Sequence, residues 1–281
     1  MLRKAFAIAA LGCALIAGPA LASTSHLEPK EAHWSNEGAF GKFDQAQLQR
    51  GYKVYREVCS SCHSMNLMYF RNLGQSGGPF YDPKYKNPNE NPYVKAIAKD
   101  YQINDVDSET GDVVQRPGTS ADKFPAPFPN EPAARASNGG ALPPDLSVII
   151  KAREEGSRYV YSILTGFKEP PPGLKVDPGK HYNPYFPGDL GAFWSGAHDK
   201  TPPGGVIGMA PPLAPGKVTF DDGSPSTVEQ QAKDVVAFLT WAAEPKAQER
   251  KAFGFAAMIY LLVFAILLWF SYRQIWRNVG H

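Results

Sequence analysis

The chain has 281 residues, 43% of them hydrophobic and 20% charged, proportions that suit one large globular domain or two small ones. Its 29 basic and 27 acidic residues leave a formal net charge of +2, too small to imply a nucleic-acid partner. Gly and Pro, 26 of each, concentrate between Gly74 and Gly216 and point to a core domain with long irregular excursions.

At the N-terminus, Arg3 and Lys4 precede a 13-residue apolar run, Ala5 to Ala17, and Ala20-Leu21-Ala22 supplies a small-x-small cleavage site. This is the pattern of an export signal, and the run is too short to span a bilayer. Removing residues 1–22 takes away Arg3 and Lys4, so that 27 basic residues balance 27 acidic ones in a mature chain from Ser23. Cys13 leaves with the signal. The exported part then holds only Cys59 and Cys62, although its compartment permits disulfides.

The first predicted helix opens at Asp44, an N-cap residue with Gln47 three positions on, and Leu48, Tyr52, Tyr55 and Cys59 recur at helical spacing. It delivers Cys59-Ser60-Ser61-Cys62-His63. Zinc would need a second half-site, and the remaining histidines (His26, His33, His181, His198, His281) are scattered singly. A redox dithiol ordinarily follows a strand in a βαβ unit, whereas the pattern here is helical. C-x-x-C-H is the attachment pattern of c-type haem. Two thiols at this spacing near a helix end can form thioethers to the two vinyl groups of one porphyrin, and His63 then reaches the iron from the same side. Covalent attachment also suits an exported protein, and a single motif implies a single haem.

Further along, Asp100, Asp105, Asp107, Glu109 and Asp112 occur with no Lys or Arg among them. Such a stretch reads either as a solvated loop or as a patch that attracts a basic carrier. Leu146, Ile149 and Ile150 predict the inward face of another helix, on which Arg153 is an exposed cation.

The second iron face needs a ligand for electron transfer or an open site for ligand activation. Met65 and Met68 lie too close to His63 in sequence, and Met258 falls in the apolar C-terminal run. Met209 remains, in GGVIGMAPPLAPG, where Gly permits close approach to a flat ring and Pro stiffens the loop. His181 or His198 would substitute if Met209 merely filled the core.

Ser226 with Glu229 reads as a capping box for a last amphipathic helix, with Val228, Ala232, Val235, Val236 and Leu239 on one stripe and Glu244-Pro245 closing it. A helix before the haem motif, a methionine loop and a terminal helix follow the element order of a class I cytochrome c fold, with Gly51 allowing the two helices to approach. Ala252 to Tyr272 then runs 21 residues without a charge, flanked by Arg250, Lys251, Arg273 and Arg277, with Trp269, Tyr272 and Trp276 at its far end. The expected architecture is mainly α: a class I cytochrome c-like haem domain with long irregular insertions, plus one C-terminal transmembrane helix. Its expected boundaries are 1–22 signal, 23–250 exported domain, 251–273 membrane helix and 274–281 cytoplasmic tail.

Taken together, these blocks resemble the cytochrome c1 family, the haem c subunits of the ubiquinol:cytochrome c oxidoreductase (cytochrome bc complex). The resemblance rests on GYKVYREVCSSCH (51–63), ALPPDLSVIIKAREEGSRYVYSILTGF (141–167), NPYFPG (183–188), IGMAPPL (207–213) and FDDGSPSTVEQQAKDVVAFLTWAAEP (220–245), followed by one span. It implies that Cys59 and Cys62 carry one covalent haem c and that His63 and Met209 ligate its iron. It implies also that Arg153 and Tyr159 lie near the propionates, and that Pro143 and Pro144 wall the haem edge or start a helix.

The implied job is one-electron relay in a respiratory or photosynthetic, dimeric complex, with no catalytic site beyond the haem. Electrons would arrive from a Rieske iron-sulfur subunit beside cytochrome b and leave to a soluble or anchored cytochrome c. The haem domain would sit on the periplasmic side of a bacterial cytoplasmic (inner) membrane. Two other readings compete: a stand-alone anchored shuttle to a terminal oxidase, which 228 exported residues (Ser23 to Arg250) exceed, and a haem enzyme with an open iron site. Two departures from the family pattern stand out. The stretch Asp189 to Val206 is longer than in mitochondrial members, and no cysteine pair is present for the loop disulfide of some bacterial members.

Overall fold

The computed structural model describes residues 26–278; the expected signal, residues 1–22, lies outside them. The architecture is mainly α, as expected. The helices are α1 (Gln45–Glu57), α2 (Pro92–Lys99), α3 (Glu131–Ser137), α4 (Gly156–Thr165), α5 (Val228–Ala243) and α6 (Ala247–Trp276). Two short antiparallel pairs interrupt them. β1 (Gln102–Val106) pairs with β2 (Val113–Pro117), and β3 (His181–Asn183) pairs with β4 (Gly205–Ile207).

Helix α1 begins where the sequence predicts: the Asp44 carboxylate accepts from the Gln47 amide at 3.0 Å. Its apolar stripe, Leu48, Tyr52 and Tyr55, is buried against α5. The two helices cross at Gly51, where an added Cβ would lie 2.0 Å from the Asp234 carbonyl oxygen and 2.7 Å from the Phe238 Cβ. No other residue type fits there without moving a helix. Beside the crossing, the fully buried Asp234 carboxylate accepts from Arg50 Nε at 2.8 Å, Gln47 Nε2 at 3.1 Å and Gln230 Nε2 at 2.9 Å. These donors replace the water that a buried charge loses. Tyr55, Phe70, Phe124, Phe238 and Trp241 fill the surrounding core.

Two local expectations are corrected. Helix α5 is capped by Thr227, whose hydroxyl accepts from the Gln230 amide, not by Ser226. The Ser226 hydroxyl is already engaged with the Val218 carbonyl and with Gln231 Nε2. The helix expected to carry Arg153 does not form. Leu146 and Ile149 are buried as foreseen, but residues 147–155 run as successive turns and α4 starts only at Gly156. Glu155 at φ 59° and Gly156 at φ 46° adopt left-handed backbone, which a right-handed helix cannot continue through.

The stretch Asp189 to Val206 shares a small second apolar cluster with residues 174–182. Leu174, Tyr182 and Leu190 are buried there with Val176, Trp194 and Val206 packed against them. The acidic stretch forms the β1–β2 hairpin. Part of its charge is answered locally, Asp100 by Arg56 and Asp105 by Arg116. Helix α6 has a mean hydropathy of 2.5 over its most apolar window, and no part of that window is buried in the molecule. Its 30 residues extend about 45 Å, long enough to cross a bilayer core of about 30 Å.

Replacing Gly51 with Ala is expected to destabilise the detergent-solubilised holoprotein by about 1–3 kcal/mol in denaturant titration, the usual cost of overpacking a tight contact. Unchanged stability would contradict the close crossing.

Candidate functional site

Helix α1 ends at Glu57, and the chain tightens at once into a 3-10 turn, Cys59–Ser61. The amides of Cys62 and His63 both donate to the Cys59 carbonyl, at 3.2 and 2.9 Å, which gathers the two thiols and the imidazole into one turn. The intervening serines close the helix end: Ser60 donates to the Arg56 carbonyl at 2.7 Å and Ser61 to the Val58 carbonyl at 2.9 Å. Burial, then the neighbouring Cys62, pushes the Cys59 thiol up to about 12, against the pull of Lys217.

His63 is fixed from the side. Its Nδ1 lies 2.8 Å from the Pro144 carbonyl oxygen. A carbonyl only accepts, so Nδ1 carries the proton and Nε2 presents its lone pair. Burial lowers the imidazole pKa, opposed by the Pro144 carbonyl and Asp145. A neutral, oriented ring with one free nitrogen is what an axial ligand requires.

The Pro144 carbonyl is in turn held in place by its neighbour. Asp145 accepts from Ser64 Oγ at 2.8 Å, the Asn66 amide at 2.7 Å and the Ser147 amide at 2.8 Å. The Leu146 amide donates to the Ser64 carbonyl at 2.9 Å, and the Leu67 amide to Ser147 Oγ at 3.1 Å. Burial works against ionising Asp145, but these donors outweigh it and hold the carboxylate below its ordinary range. The sequence reading missed Asp145. Its only local sign was Ser147 two residues on, an Asx-turn spacing; its other partners lie 79 and 81 positions away.

Met209 lies two residues past the end of β4. The pairing of His181 with Ile207 sets the direction of the loop, and Gly208 lies so near Ala141 that an added Cβ would come within 3.0 Å of the Ala141 side chain. Lys217 ties the loop's far end by donating to the Pro212 carbonyl at 2.7 Å. One segment, 141–147, therefore touches the methionine loop at Ala141 and His63 at Pro144. Met209 itself is half-buried, whereas Met65 and Met68 are spent in the core. His198 is exposed on a 3-10 turn, and His181 packs edge-on to Phe167. Pro143 is half-buried and Pro144 exposed. Arg153 and Tyr159 are near enough to interact: burial raises the Tyr159 pKa, and the charge of Arg153 opposes that rise.

The profile of the Cytochrome C1 family matches residues 34–279. The chain belongs to the cytochrome c1 family. It is 42% identical over 249 residues to the mitochondrial "Cytochrome c1-2, heme protein" of Solanum tuberosum, covering 89% of this chain and 85% of that one. It is 37% identical over 292 residues to cytochrome c1 of Rhodospirillum rubrum, with 98% and 97% covered. It is 43% identical over 300 residues to "Cytochrome b/c1" of Bradyrhizobium diazoefficiens. That alignment takes in 97% of this chain but only 40% of the longer relative. The family match takes in the C-x-x-C-H turn, the methionine loop and the apolar terminal helix.

Asp145→Ala removes a carboxylate that joins two distant segments. It is expected to cost about 1–3 kcal/mol and to speed hydrogen exchange at the Asn66 amide in the folded protein. Unchanged melting and unchanged Asn66 exchange would show that the contact carries no weight.

Proposed function

We propose that this chain is the haem c subunit of a quinol:cytochrome c oxidoreductase, holding one covalent haem c through Cys59 and Cys62, with His63 and Met209 as axial ligands. The observation that carries this reading is the 141–147 segment: it holds the His63 ring with Nε2 free and abuts the methionine loop at Gly208. Family membership supplies the cofactor class, and the donor set fits it, with two adjacent thiols, a neutral imidazole and a half-buried thioether. When bound, such a haem supplies a one-electron couple whose potential rises with methionine ligation and exclusion of water.

The chain's own residues then have distinct tasks. Cys59 and Cys62 fix the porphyrin edge, and Pro144 and Asp145 keep His63 from turning. The Pro-rich run after Met209 restricts the loop that must present the sulfur. Arg153, paired with Tyr159, offers a guanidinium for a propionate, and Pro143 with Pro144 lines the exposed edge. With His63 and Met209 both available to hold the iron, no position would be left open to a small ligand, which favours relay over peroxidase or sensor chemistry.

The partners follow from the family. Cytochrome b and a Rieske iron-sulfur protein would stand on the donor side and a cytochrome c on the acceptor side, within a dimeric complex. The name of the Bradyrhizobium relative, "Cytochrome b/c1", joins the first of these to the same kind of chain. Helix α6 would anchor the subunit by a single span near 251–273, with residues 23–250 periplasmic and 274–281 cytoplasmic in a bacterial inner membrane.

Gentle detergent extraction of native membranes tests this reading. The chain is expected to co-purify with b-type haem and an iron-sulfur subunit, as an assembly that reduces cytochrome c with quinol. A haem c protein that purifies alone and is fully active as a carrier would favour the stand-alone shuttle instead.

A further inference from the structure

The loop Asn36–Gly41 lies beside the start of α6, and nothing in the proposed electron path uses it. Its shape is set by a tight return. An added Cβ at Gly41 would fall 1.9 Å from the Glu37 carbonyl oxygen, so the backbone closes on itself where only glycine fits. The base of the loop is fixed to the haem domain, because Trp34 is buried and its Nε1 donates to the Lys233 carbonyl at 2.9 Å. Its outer side is fixed to α6: Lys251 Nζ donates to the carbonyls of Asn36 at 2.6 Å and Gly38 at 2.7 Å and reaches that of Gly41 at 3.4 Å.

Lys251 is the last charged residue before the apolar run. A lysine at that level ordinarily extends its ammonium into the headgroup layer. Here the ammonium is satisfied by loop backbone, so the loop stands where headgroups would. At its tip, Phe40 is 77% exposed yet packs edge-on to Phe255, with ring centroids 5.6 Å apart and planes at 74°. Phe255 is the fourth residue of the uncharged run that starts at Ala252, about 4.5 Å along the helix from its first residue.

We propose that Asn36–Gly41 is a second membrane contact, which inserts Phe40 into the lipid interface beside the entry point of α6. This rests on the reading of α6 as a membrane span. A bare phenylalanine facing water would gain nothing from this position, whereas one held against a lipid-embedded ring is covered by acyl chains. Because Trp34 and Lys251 grip the two sides of the loop, the contact would also limit how far the haem domain can tilt over the bilayer.

Site-directed spin labelling of the native assembly, reconstituted in phospholipid vesicles, tests the proposal. Nitroxides are placed by Phe40→Cys, Phe255→Cys and Val113→Cys. Val113 serves as an aqueous reference, since it is 75% exposed on the β1–β2 hairpin. Accessibility to oxygen relative to a water-soluble nickel chelate is expected to be high at positions 40 and 255 and low at 113. In a Lys251→Met background, the position 40 label is expected to shift toward the aqueous value. A water-like label at 40 with a lipid-like label at 255 overturns the loop contact and leaves the span standing. Water-like labels at both positions overturn the span and the loop contact with it. A label at 40 shielded from both reagents overturns lipid in favour of a protein neighbour, and a depth unaffected by Lys251→Met overturns the lysine's part.

Discussion

The close crossing of α1 over α5 at Gly51 is the constraint on which the rest of the structure depends. Backbone meets backbone there, because the glycine leaves room for the Asp234 carbonyl, and the Asp234 carboxylate is then buried and must be matched by Arg50, Gln47 and Gln230. The crossing fixes where α1 ends, and with it where the turn of Cys59, Cys62 and His63 is delivered. A slight rotation of α1 would carry all three side chains away together, since the turn follows its last residue with almost no intervening chain.

From that fixed point a second arrangement ties His63 to the methionine loop. The segment 141–147 is neither helix nor strand, yet it holds the His63 ring through a backbone carbonyl and lies against the methionine loop through Ala141. Asp145 makes the irregular segment stiff by spending a carboxylate on amides and a hydroxyl from two stretches of chain. The stretch Asp189 to Val206 packs with Leu174 and Tyr182 and runs into β4, which ends two residues before Met209.

Much of this was legible in the sequence wherever the cause is local. The Asp44 cap and the stripe of Leu48, Tyr52 and Tyr55 depend on residues within a few turns, and Gly51 stood out as the small residue on that helix. Met209 is reached by elimination alone, while Met65 and Met68 lie buried in the core. What escaped depends on distant partners or on backbone. That His63 rests on a carbonyl 81 residues away has no side-chain signature, and the serines of C-S-S-C-H look like fillers until their bonds to the end of α1 are seen. The helix expected through Arg153 failed because periodicity registers the burial of Leu146 and Ile149 but not the left-handed turn at Glu155 and Gly156. By type Ser226 is the better cap of the two, and its contact with Val218 leaves the role to Thr227.

The central claim is that His63 and Met209, 146 positions apart in the sequence, share one iron. Proton NMR of the reduced protein carrying methyl-labelled methionine tests it most directly, because the methyl of a thioether whose sulfur held the iron would lie in the porphyrin's shielding cone. The Met209 methyl is predicted to resonate far upfield of the methyls of Met65, Met68 and Met258. A Met209 methyl at an ordinary position in the fully reduced, haem-loaded protein would contradict the axial pair.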